Sequence, residues 1–392
     1  MKWTNKGHEF DTVFQSICKK SGFYLFGAGH DGKQVLNIIR TNFPGITILG
    51  FVDNNPAKQG LDYCGLPVFS PSFINYLQTN TGIIISIGAD FQKDKEEQLN
   101  QLGLTKNADY FHYYIFLMVF AAYAQNKILI PNVNFIPGTY CNLNCKACLN
   151  FKPYIKKFYS KSLQECKNDI DLFFSVVDYV GLFCITGGEP LLYPHIGELI
   201  SYVDDQYGAK IYSLETITNG TIIPRKDFLD AYRDHKIVLT VDDYRDQLPN
   251  TAEIFNEVLS SLDKTESKGK YVVKKYDDWI QLYPFEKNED LDDEGLCKKY
   301  NSCHIPWQNY SEGKLYSCNY AKYAADAGIG PIPEDNESLD LRKIDKKKDA
   351  KLVVEFRSGY TDKGYVEFCK HCGGYMDINE IHVPAALQEI NK

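Results

Sequence analysis

The sequence of 392 residues has no long apolar run and no recognisable leader, and each absence excludes a class of protein. Its most apolar stretch, residues 113–123 (YYIFLMVFAAY), has eleven residues, whereas a helix that spans a bilayer needs about twenty. We therefore predict no membrane span and interpret the stretch as a buried helix or strand. No charged start is followed by an apolar core and a small-residue cleavage site, so we expect no signal peptide and a cytoplasmic location.

The chain also has no excess of basic residues, no internal repeat and no low-complexity tract. A net charge of −8 does not provide the basic face that neutralises phosphates, which argues against a nucleic-acid partner. No unit of roughly 20 to 50 residues recurs, which excludes solenoids. The composition, with 44% hydrophobic and 24% charged residues, is ordinary for a folded globular protein. The length exceeds the roughly 250–300 residues that one core supports, so we expect two or three domains.

Two series of strand and helix patterns follow each other along the chain. The first predicts a small parallel sheet in residues 1–108, followed by a connector in residues 109–130. The second predicts a partial barrel of strand-helix units in residues 131–290, and residues 291–392 form short, cysteine-bearing pieces that suggest a metal-stapled module. The strands are predicted at residues 22–27, 46–52, 82–87, 133–136, 182–186, 210–218, 237–241 and 271–274.

Three of the twelve cysteines lie within eight residues directly after a predicted strand: Cys141, Cys145 and Cys148. In a chain without an export signal, clustered cysteines indicate metal ligation before disulfides. Three thiolates can hold one iron-sulfur cubane and leave its fourth iron open to an exogenous ligand. The alternative is a structural zinc site, which normally has four ligands in short paired spacings.

The spacing Cys-x3-Cys-x2-Cys, followed after the next strand by Thr186-Gly187-Gly188-Glu189-Pro190, resembles the radical S-adenosylmethionine (radical SAM) enzymes. The resemblance implies a 4Fe-4S cluster whose open iron chelates S-adenosylmethionine (SAM), with Glu189 accepting a hydrogen bond from the amino group of SAM. Reductive cleavage of SAM then gives a 5′-deoxyadenosyl radical that abstracts a hydrogen atom from substrate. Gly187 and Gly188 would allow backbone to approach the ligand closely.

Further positions match the same family less strongly. By position, Thr240 matches the polar residue that members direct at the ribose of SAM, and Thr218 and Asn219 belong to a common strand-end motif. The residue before the third cysteine is usually aromatic in the family and is Ala147 here, for which we expect altered adenine packing and retained chemistry.

Four later cysteines predict a second metal site. Cys303 and Cys318 flank Gly313 in the pattern Cys-x9-Gly-x4-Cys, and Cys369 and Cys372 form a close pair. Four thiols suit a fully ligated cluster, although two cysteine pairs also make a tetrahedral zinc site. A fully ligated cluster cannot readily bind substrate, so we expect it to accept or relay an electron from a substrate radical.

This set, with Trp307 and the hairpin-like residues 311–318, resembles the SPASM/twitch extension of one radical SAM branch. A single set favours the shorter twitch form with one auxiliary 4Fe-4S cluster. The branch includes enzymes that oxidise alcohols on aminocyclitols and enzymes that modify peptides. Five cysteines remain, and the default for all five is a buried hydrophobic role. Two of them, Cys184 and Cys297, lie where either could reach a barrel mouth and return a hydrogen atom, which would give epimerisation.

A turn with the pattern Gly27-x-Gly29-x-x-Gly32 follows the first predicted strand, and Asp53 closes the second. The pattern fits a nucleotide site in which a diphosphate meets a helix amino terminus and the acid contacts ribose. The surrounding run, residues 26–71, resembles nucleotide-sugar-binding domains that precede sugar acyltransferases. The alternative is a packing or oligomerisation module.

The sequence thus predicts an α/β protein: a Rossmann-like parallel sheet domain, a partial (β/α)6 TIM-like barrel and a small cysteine-rich α+β extension. The expected activity is oxidation or epimerisation of a sugar or nucleotide-sugar by SAM-derived radicals, in glycan or secondary-metabolite synthesis. Peptide modification and a zinc-stabilised scaffold are the alternatives. The family implies a flavodoxin- or ferredoxin-type electron donor.

Overall fold

A computed structural model describes residues 1–88, 92–282, 291–303, 308–375 and 378–389. The described helices are α1 (Asp11–Cys18), α2 (His30–Asn42), α3 (Gln92–Gln101), α4 (Tyr113–Gln125), α5 (Leu163–Val176), α6 (Ile196–Tyr207), α7 (Lys226–Asp234), α8 (Ala252–Asp263), α9 (Asp293–Ser302), α10 (Asn319–Asp326) and α11 (Lys346–Arg357). The strands are β1 (Gly22–Phe26), β2 (Ile48–Val52), β3 (Asp62–Tyr63), β4 (Leu66–Phe69), β5 (Thr81–Ile85), β6 (Tyr110–His112), β7 (Leu129–Phe135), β8 (Tyr179–Ile185), β9 (Ile211–Thr218), β10 (Ile237–Asp243), β11 (Lys270–Lys275), β12 (Asp278–Ile280), β13 (Asn309–Ser311), β14 (Lys314–Tyr316), β15 (Ser338–Asp340) and β16 (His382–Pro384).

The chain forms two compact units, and both are discontinuous in sequence. The smaller unit consists of residues 5–129 and 345–358, and the larger one of residues 1–4, 130–344 and 359–392. The boundaries predicted at residues 108, 130 and 290 stay predictions. Among the described helices, none has the length and apolar character that crossing a membrane requires.

The smaller unit is a Rossmann-like sheet of six strands in the order β3-β4-β2-β1-β5-β6. Every neighbouring pair is parallel except β3 and β4. The central strand β1 (GFYLF) is buried on both faces, which explains why it is a continuous apolar run without alternation. The strands predicted at residues 22–27, 46–52 and 82–87 correspond to β1, β2 and β5.

The apolar stretch at residues 113–123 is the helix α4 of this unit. Its side chains are mostly buried, and the left-handed Asn126 ends it. Helix α11, from the second segment of the unit, packs against α4, and the Lys351 ammonium lies 4.1 Å from the centre of the Tyr123 ring. The stretch therefore serves as core and not as a connector alone.

The larger unit contains an open sheet in the order β11-β10-β9-β8-β7-β13-β14-β15. Strands β7 to β11 are the five predicted from the sequence, and the parallel register of the described pairs confirms the α/β class. The sheet extends beyond β7 through β13 and not beyond β11, because β12 leaves to pair antiparallel with β16. The described strands therefore form a partial barrel without closure.

The two faces of this sheet differ in chemistry. Phe135 and Phe183 stack with ring centres 6.2 Å apart, and Phe183 meets Phe173 of α5, so this face packs on the helices. Adjacent residues of a strand point to opposite faces, so Asn134 and Cys184 lie on the other, inner face. Helix α5 itself begins with a capping box in which Ser162 and Glu165 exchange hydrogen bonds, which fixes its start shortly after the cysteine loop.

Candidate functional site

The candidate site lies where strands β7, β8 and β9 end. The carboxyl ends of parallel strands lie at one edge of a sheet, so the loops that follow them meet there. The loop after β7 contains Cys141, Cys145 and Cys148, the loop after β8 contains Glu189, and the loop after β9 begins at Asn219.

Two glycines allow the first two loops to touch. A Cβ atom on Gly188 would lie 2.1 Å from the carbonyl oxygen of Tyr140, and one on Gly187 would lie 2.3 Å from that of Gly138. Gly187 also has a φ of +145°, which side chains rarely adopt. We expected these glycines to let the backbone approach a ligand. In the structure they let the loop after β8 approach the backbone that precedes Cys141.

The three thiols of the cysteine loop lie within electrostatic range of one another. Burial raises the pKa of Cys141 and of Cys145 to about 12, and the Cys148 thiolate adds to the rise at both. Burial also raises the pKa of Cys148. Burial thus disfavours the thiolate form of all three cysteines.

Nitrogen donors point at each of these sulfurs. The Gln388 amide donates to Cys145 Sγ over 3.3 Å, and the Asn219 amide is 3.9 Å from Cys141 Sγ. Backbone N–H groups that follow Cys148, including that of Asn150, lower its pKa. Such donors stabilise thiolate sulfur, so the surroundings fit cluster ligands.

In the described ranges, no three His, Cys, Asp or Glu side chains converge closely enough to hold a metal ion.

Glu189 is 3% exposed and is held by three donors. Thr218 Oγ1 and the Leu191 N–H donate to Oε1 over 2.8 and 3.0 Å, and the Asn219 N–H donates to Oε2 over 2.8 Å. A carboxylate accepts about four hydrogen bonds, so one position on Oε2 remains for a further donor. Burial raises the pKa of Glu189 to about 7 even though these bonds lower it.

Asp242, at the end of β10, is a second buried carboxylate near Glu189. The Tyr244 hydroxyl donates to its Oδ2 over 2.6 Å, whereas Oδ1 is buried and, among the described residues, has no hydrogen-bond partner. Burial raises the pKa of Asp242 to about 6. An unpaired buried carboxylate oxygen is costly, which indicates a place for a donor from a bound molecule.

The inner face of the sheet presents polar side chains below this edge. The parallel register places Cys184 beside Glu215 on one face, and Thr240 lies on the same face of β10. Tyr323 of α10 hydrogen-bonds Asn134 and lies within electrostatic range of Cys184. The Cys184 thiol is 1% exposed, and burial raises its pKa.

Cys303, Cys318, Cys369 and Cys372 surround one small cavity of about 20 Å³ with an apolar and aromatic lining. Burial raises the pKa of all four thiols, to about 12 at Cys303, and the four act on one another electrostatically. The Lys299 ammonium donates to the carbonyl groups of Cys369 and Cys372. The four cysteines that the sequence predicts as a second metal site thus line one cavity, beside one cation.

Two sequence candidates lie outside these groups. The Cys297 thiol donates to the Lys363 carbonyl over 3.2 Å and lies by Gly364, in the same module as the four cysteines. Trp307 falls outside the described residues.

The glycine motif of the smaller unit has two roles. A Cβ on Gly32 would lie 1.9 Å from the Gly27 carbonyl oxygen, so Gly32 permits close packing of α2 on β1, whereas Gly29 faces open space. Asp53 is already bonded: the Ala28 N–H and Lys58 donate to Oδ2 over 2.8 and 3.1 Å. A ribose hydroxyl would therefore compete with Lys58 for this carboxylate.

Comparison with known families gives one match: residues 135–273 fit the model of the Radical SAM superfamily. The match covers about a third of the chain. The match begins at the end of β7 and ends in β11, so it includes the cysteine loop and Glu189. A radical SAM domain implies an enzyme with a 4Fe-4S cluster and SAM, and it supports radical chemistry. Among curated proteins no relative of the chain was found.

Several solved structures share part of the fold. The complex of BtrN with AdoMet and 2-DOIA is 15% identical, with a TM-score of 0.38 over 63% of this chain and 94% of BtrN. SuiB of Streptococcus suis bound to S-adenosylmethionine is 19% identical, with a TM-score of 0.27 over 57% of this chain and 52% of SuiB. RSP, a Rex-family repressor, is 20% identical, with a TM-score of 0.20 over 24% of this chain and 47% of RSP. The chain thus spans about half the length of SuiB and of RSP.

Several side chains around the candidate site have little or no signal in the sequence. Asn150 donates to the Gly187 carbonyl and joins the loops after β7 and β8. Asp242 had a weak signal, since it is polar at the end of an apolar strand. Gln388 and Lys299 had none, because nothing in a single sequence indicates which distant residue folds back onto a cysteine loop.

Proposed function

We propose that the chain is a radical SAM oxidoreductase or epimerase that acts on a carbon atom of a sugar or nucleotide-sugar. The observation that supports it best is the meeting of three thiols, the buried Glu189 and the polar inner face at one edge of the sheet. In this proposal Cys141, Cys145 and Cys148 hold the catalytic 4Fe-4S cluster. With SAM bound, the cluster supplies the electron that produces the 5′-deoxyadenosyl radical.

Residues of the chain would position SAM. The open position on Glu189 Oε2 accepts the amino group of methionine, and Thr218, Leu191 and Asn219 hold the carboxylate in place for it. Thr240, on the inner face next to this edge, is the candidate contact to ribose. Because the protein positions these groups before SAM arrives, little ordering is required at the moment of reaction.

The polar inner face supports a polyhydroxylated substrate. It combines the Asn134 amide, the Thr240 hydroxyl and the Glu215 carboxylate on neighbouring strands, each able to hydrogen-bond a sugar hydroxyl. Asp242 Oδ1 adds an acceptor near Glu189 that, within the described residues, has no partner. We infer that this oxygen accepts a substrate hydroxyl and takes its proton when the neighbouring carbon is oxidised.

Oxidation and epimerisation differ in the step after hydrogen abstraction. For oxidation, Cys303, Cys318, Cys369 and Cys372 would hold an auxiliary cluster able to accept the electron of the substrate radical. For epimerisation, a thiol returns a hydrogen atom, and Cys184 is the candidate on the inner face. Cys297 is the weaker candidate because its thiol bonds to Lys363.

The smaller unit is the candidate site for the nucleotide of an activated sugar. Gly29 leaves open space at the start of α2, where backbone N–H groups favour phosphate. Gly27 and Gly32 shape the turn, and Asp53 is the candidate for ribose once Lys58 moves to the phosphate. Gly29→Trp should then weaken nucleotide-sugar binding and leave SAM cleavage intact.

Iron and acid-labile sulfide per chain, measured after anaerobic reconstitution, test the proposal. We expect about eight irons, falling to about four in the variant C141A/C145A/C148A. The intact chain, reduced with dithionite, should cleave SAM, and the triple variant should not.

Each other outcome assigns the chain differently. Four irons that fall to none would leave the radical site and make the later cysteines thiols or zinc ligands. No iron in either protein would contradict the enzyme assignment and favour a zinc scaffold. SAM cleavage coupled to a peptide, with no effect of any nucleotide-sugar, would contradict the sugar substrate. A cytoplasmic location stays part of the proposal.

A further inference from the structure

The end of the cysteine loop and the segment that follows it have an unusual charge. Residues 146–161 contain five lysines and no aspartate or glutamate, within a chain whose net charge is −8. Most solvated segments mix both signs, so a stretch of one sign creates a local positive potential.

The fold fixes this segment against the cysteine loop. Gly138 and Ser160 form an antiparallel bridge, the Thr139 N–H donates to the Tyr159 carbonyl over 3.0 Å, and the Lys161 N–H donates to the Pro137 carbonyl over 2.8 Å. The segment therefore leaves the loop and returns to the residues that precede Cys141. Backbone hydrogen bonds therefore fix its position.

Two of the five lysines are engaged locally, and two are directed to solvent. Lys161 pairs with Asp169 at 2.7 Å, and Lys152 donates to Asn144 over 3.0 Å. Lys156 and Lys157 are exposed, and no carboxylate of the described residues lies within ion-pair distance of either. These two cations are available to a partner.

Aromatic rings accompany the cations. Tyr140 is 53% exposed and stacks on Phe158 with ring centres 5.5 Å apart. The Lys152 ammonium lies 5.7 Å from the centre of the Phe158 ring. We call Tyr140, Lys152, Lys156, Lys157 and Phe158 the lysine-aromatic surface. Exposed aromatic residues with a cationic rim are typical of protein interfaces.

Acidic groups near this surface are partly neutralised. A cavity of about 180 Å³ next to Lys157 is also lined by Glu312 and Asp326. Lys322, in the same lining, forms an ion pair with Asp326, so Glu312 is the main opposing charge. With three lysines on the surface, the local balance remains positive.

We propose that the lysine-aromatic surface docks an acidic one-electron carrier protein of the flavodoxin class. The inference rests on the proposed radical SAM function, which requires an electron for each SAM cleaved. Tyr140 precedes Cys141 directly, so a carrier seated on this surface is one residue from a cluster ligand. One electron leaves the reduced flavin and is consumed in breaking one carbon–sulfur bond of SAM, which gives methionine and a carbon radical.

The test is the variant K156E/K157E, assayed for SAM cleavage with reduced flavodoxin and, separately, with dithionite. Charge reversal on the rim of an interface slows association, so KM for flavodoxin should rise at least tenfold at low ionic strength. Raising the salt concentration should increase KM of the intact chain and have little effect on that of the variant. Dithionite needs no docking surface, so its rate should not change.

A matched control carries the same change in charge elsewhere. K264E/K268E alters two exposed lysines between α8 and β11, at the opposite edge of the sheet from the cysteine loop. Its KM for flavodoxin should match that of the intact chain. Calorimetric titration of oxidised flavodoxin gives a readout without turnover, and we expect at least tenfold weaker binding to K156E/K157E only.

An unchanged KM and unchanged binding in K156E/K157E would overturn the docking surface while SAM cleavage continued. A parallel loss of the dithionite rate would also overturn it, since the defect would then lie in the cysteine loop. Failure of the intact chain to cleave SAM with dithionite would instead contradict the proposed function itself.

Discussion

At the scale of single residues, Glu189 illustrates how a binding group is prepared in advance. Its oxygens accept three hydrogen bonds and yet its pKa lies near 7, because burial outweighs the bonds. A carboxyl whose pKa is raised on folding favours the folded chain at low pH and loses that contribution as pH rises through the folded pKa. The group is therefore costly to keep ionised until a cation is bound beside it.

Glu189→Gln should flatten the pH dependence of stability in the cluster-free chain. In the cluster-free chain that keeps Glu189, ionisation of this carboxyl should lower the free energy of unfolding by about 3 kcal/mol between pH 4.5, its ordinary pKa, and pH 7. Chemical denaturation at several pH values measures the slope. Asp242 and Glu337, each with a pKa raised to about 6 by burial, remain in the variant and supply the residual slope. An identical slope in both proteins would contradict the assignment.

Gly188→Ala should disable the site through backbone contact. The new Cβ would lie within 2.1 Å of the Tyr140 carbonyl oxygen, and the loop carrying the cysteines must move to relieve the overlap. We expect a loss of about 1–3 kcal/mol in stability and at least a hundredfold loss in SAM cleavage. Gly45→Ala is the control, because a Cβ at Gly45 meets no atom within 4 Å. Iron content and SAM cleavage are measured in both variants, and equal values in the two would contradict the role of Gly188.

At the scale of elements, the segment from β16 to residue 389 crosses the cysteine loop. The Lys146 N–H donates to the Leu387 carbonyl over 2.7 Å, and the Asn144 N–H donates to the Gln388 side chain over 2.7 Å. The side-chain nitrogen of Gln388 donates to Cys145 Sγ. A distant segment thus fixes the loop and also modifies the electrostatics at one of its sulfurs.

Gln388→Glu should lower the reduction potential of a cluster held by this loop. Glutamate keeps the acceptor for the Asn144 N–H and loses the donor to Cys145 Sγ, and hydrogen bonds to sulfur stabilise the more negative reduced state. A redox titration followed by electron paramagnetic resonance measures the shift. Gln388→Leu removes the side-chain bonds to Asn144, Cys145 and Ala386 and should reduce iron loading as well. A potential that is unchanged in Gln388→Glu would show that this contact has no electrostatic role.

The elements themselves were largely predictable. Apolar runs of strand length predict β1, β2, β5, β8 and β10, because buried parallel strands are continuous in hydrophobicity, whereas β11 is mostly exposed. The pairing of β13 beside β7, and of β12 with β16, was not predictable. Both depend on contacts between residues more than a hundred positions apart, which leave no local pattern.

The residues of the candidate site divide in the same way, into those with a local sequence pattern and those that depend on long-range contacts. Cysteine spacing and the Gly-Gly-Glu sequence are local, so Cys141 and Glu189 are predicted as site residues from the sequence alone. Gln388, Lys299 and Asp242 act through distance and burial, and these properties exist only once the chain is folded.

At the scale of the whole molecule, helix α11 belongs to the unit formed by the first part of the chain. Glu355 of this helix is fully buried and accepts the Gly7 and Glu9 N–H groups over 2.7 and 2.8 Å. The apolar surface of α4 is covered by the same helix. The smaller unit therefore requires residues 345–358 to complete its core.

Glu355→Ala should destabilise this unit by about 2–4 kcal/mol, because two backbone donors lose a charged acceptor. Thermal unfolding measures the loss, and Lys348→Ala, an exposed position on α11, is the control. A fragment of residues 5–129 should gain thermal stability when a peptide of residues 345–358 is added. No gain from the peptide would contradict the role of α11 in the core.

The discontinuity of the smaller unit has a consequence for synthesis on the ribosome. Its first segment ends at residue 129, but its last helix emerges only after residue 358. At about 5–20 residues per second, translation of the intervening chain takes roughly 10 to 50 seconds. During this interval α4 is covered by α1 and lacks the cover of α11, so part of its apolar surface stays exposed on the nascent chain. The ribosome therefore synthesises the cysteine loop before the smaller unit can complete its fold.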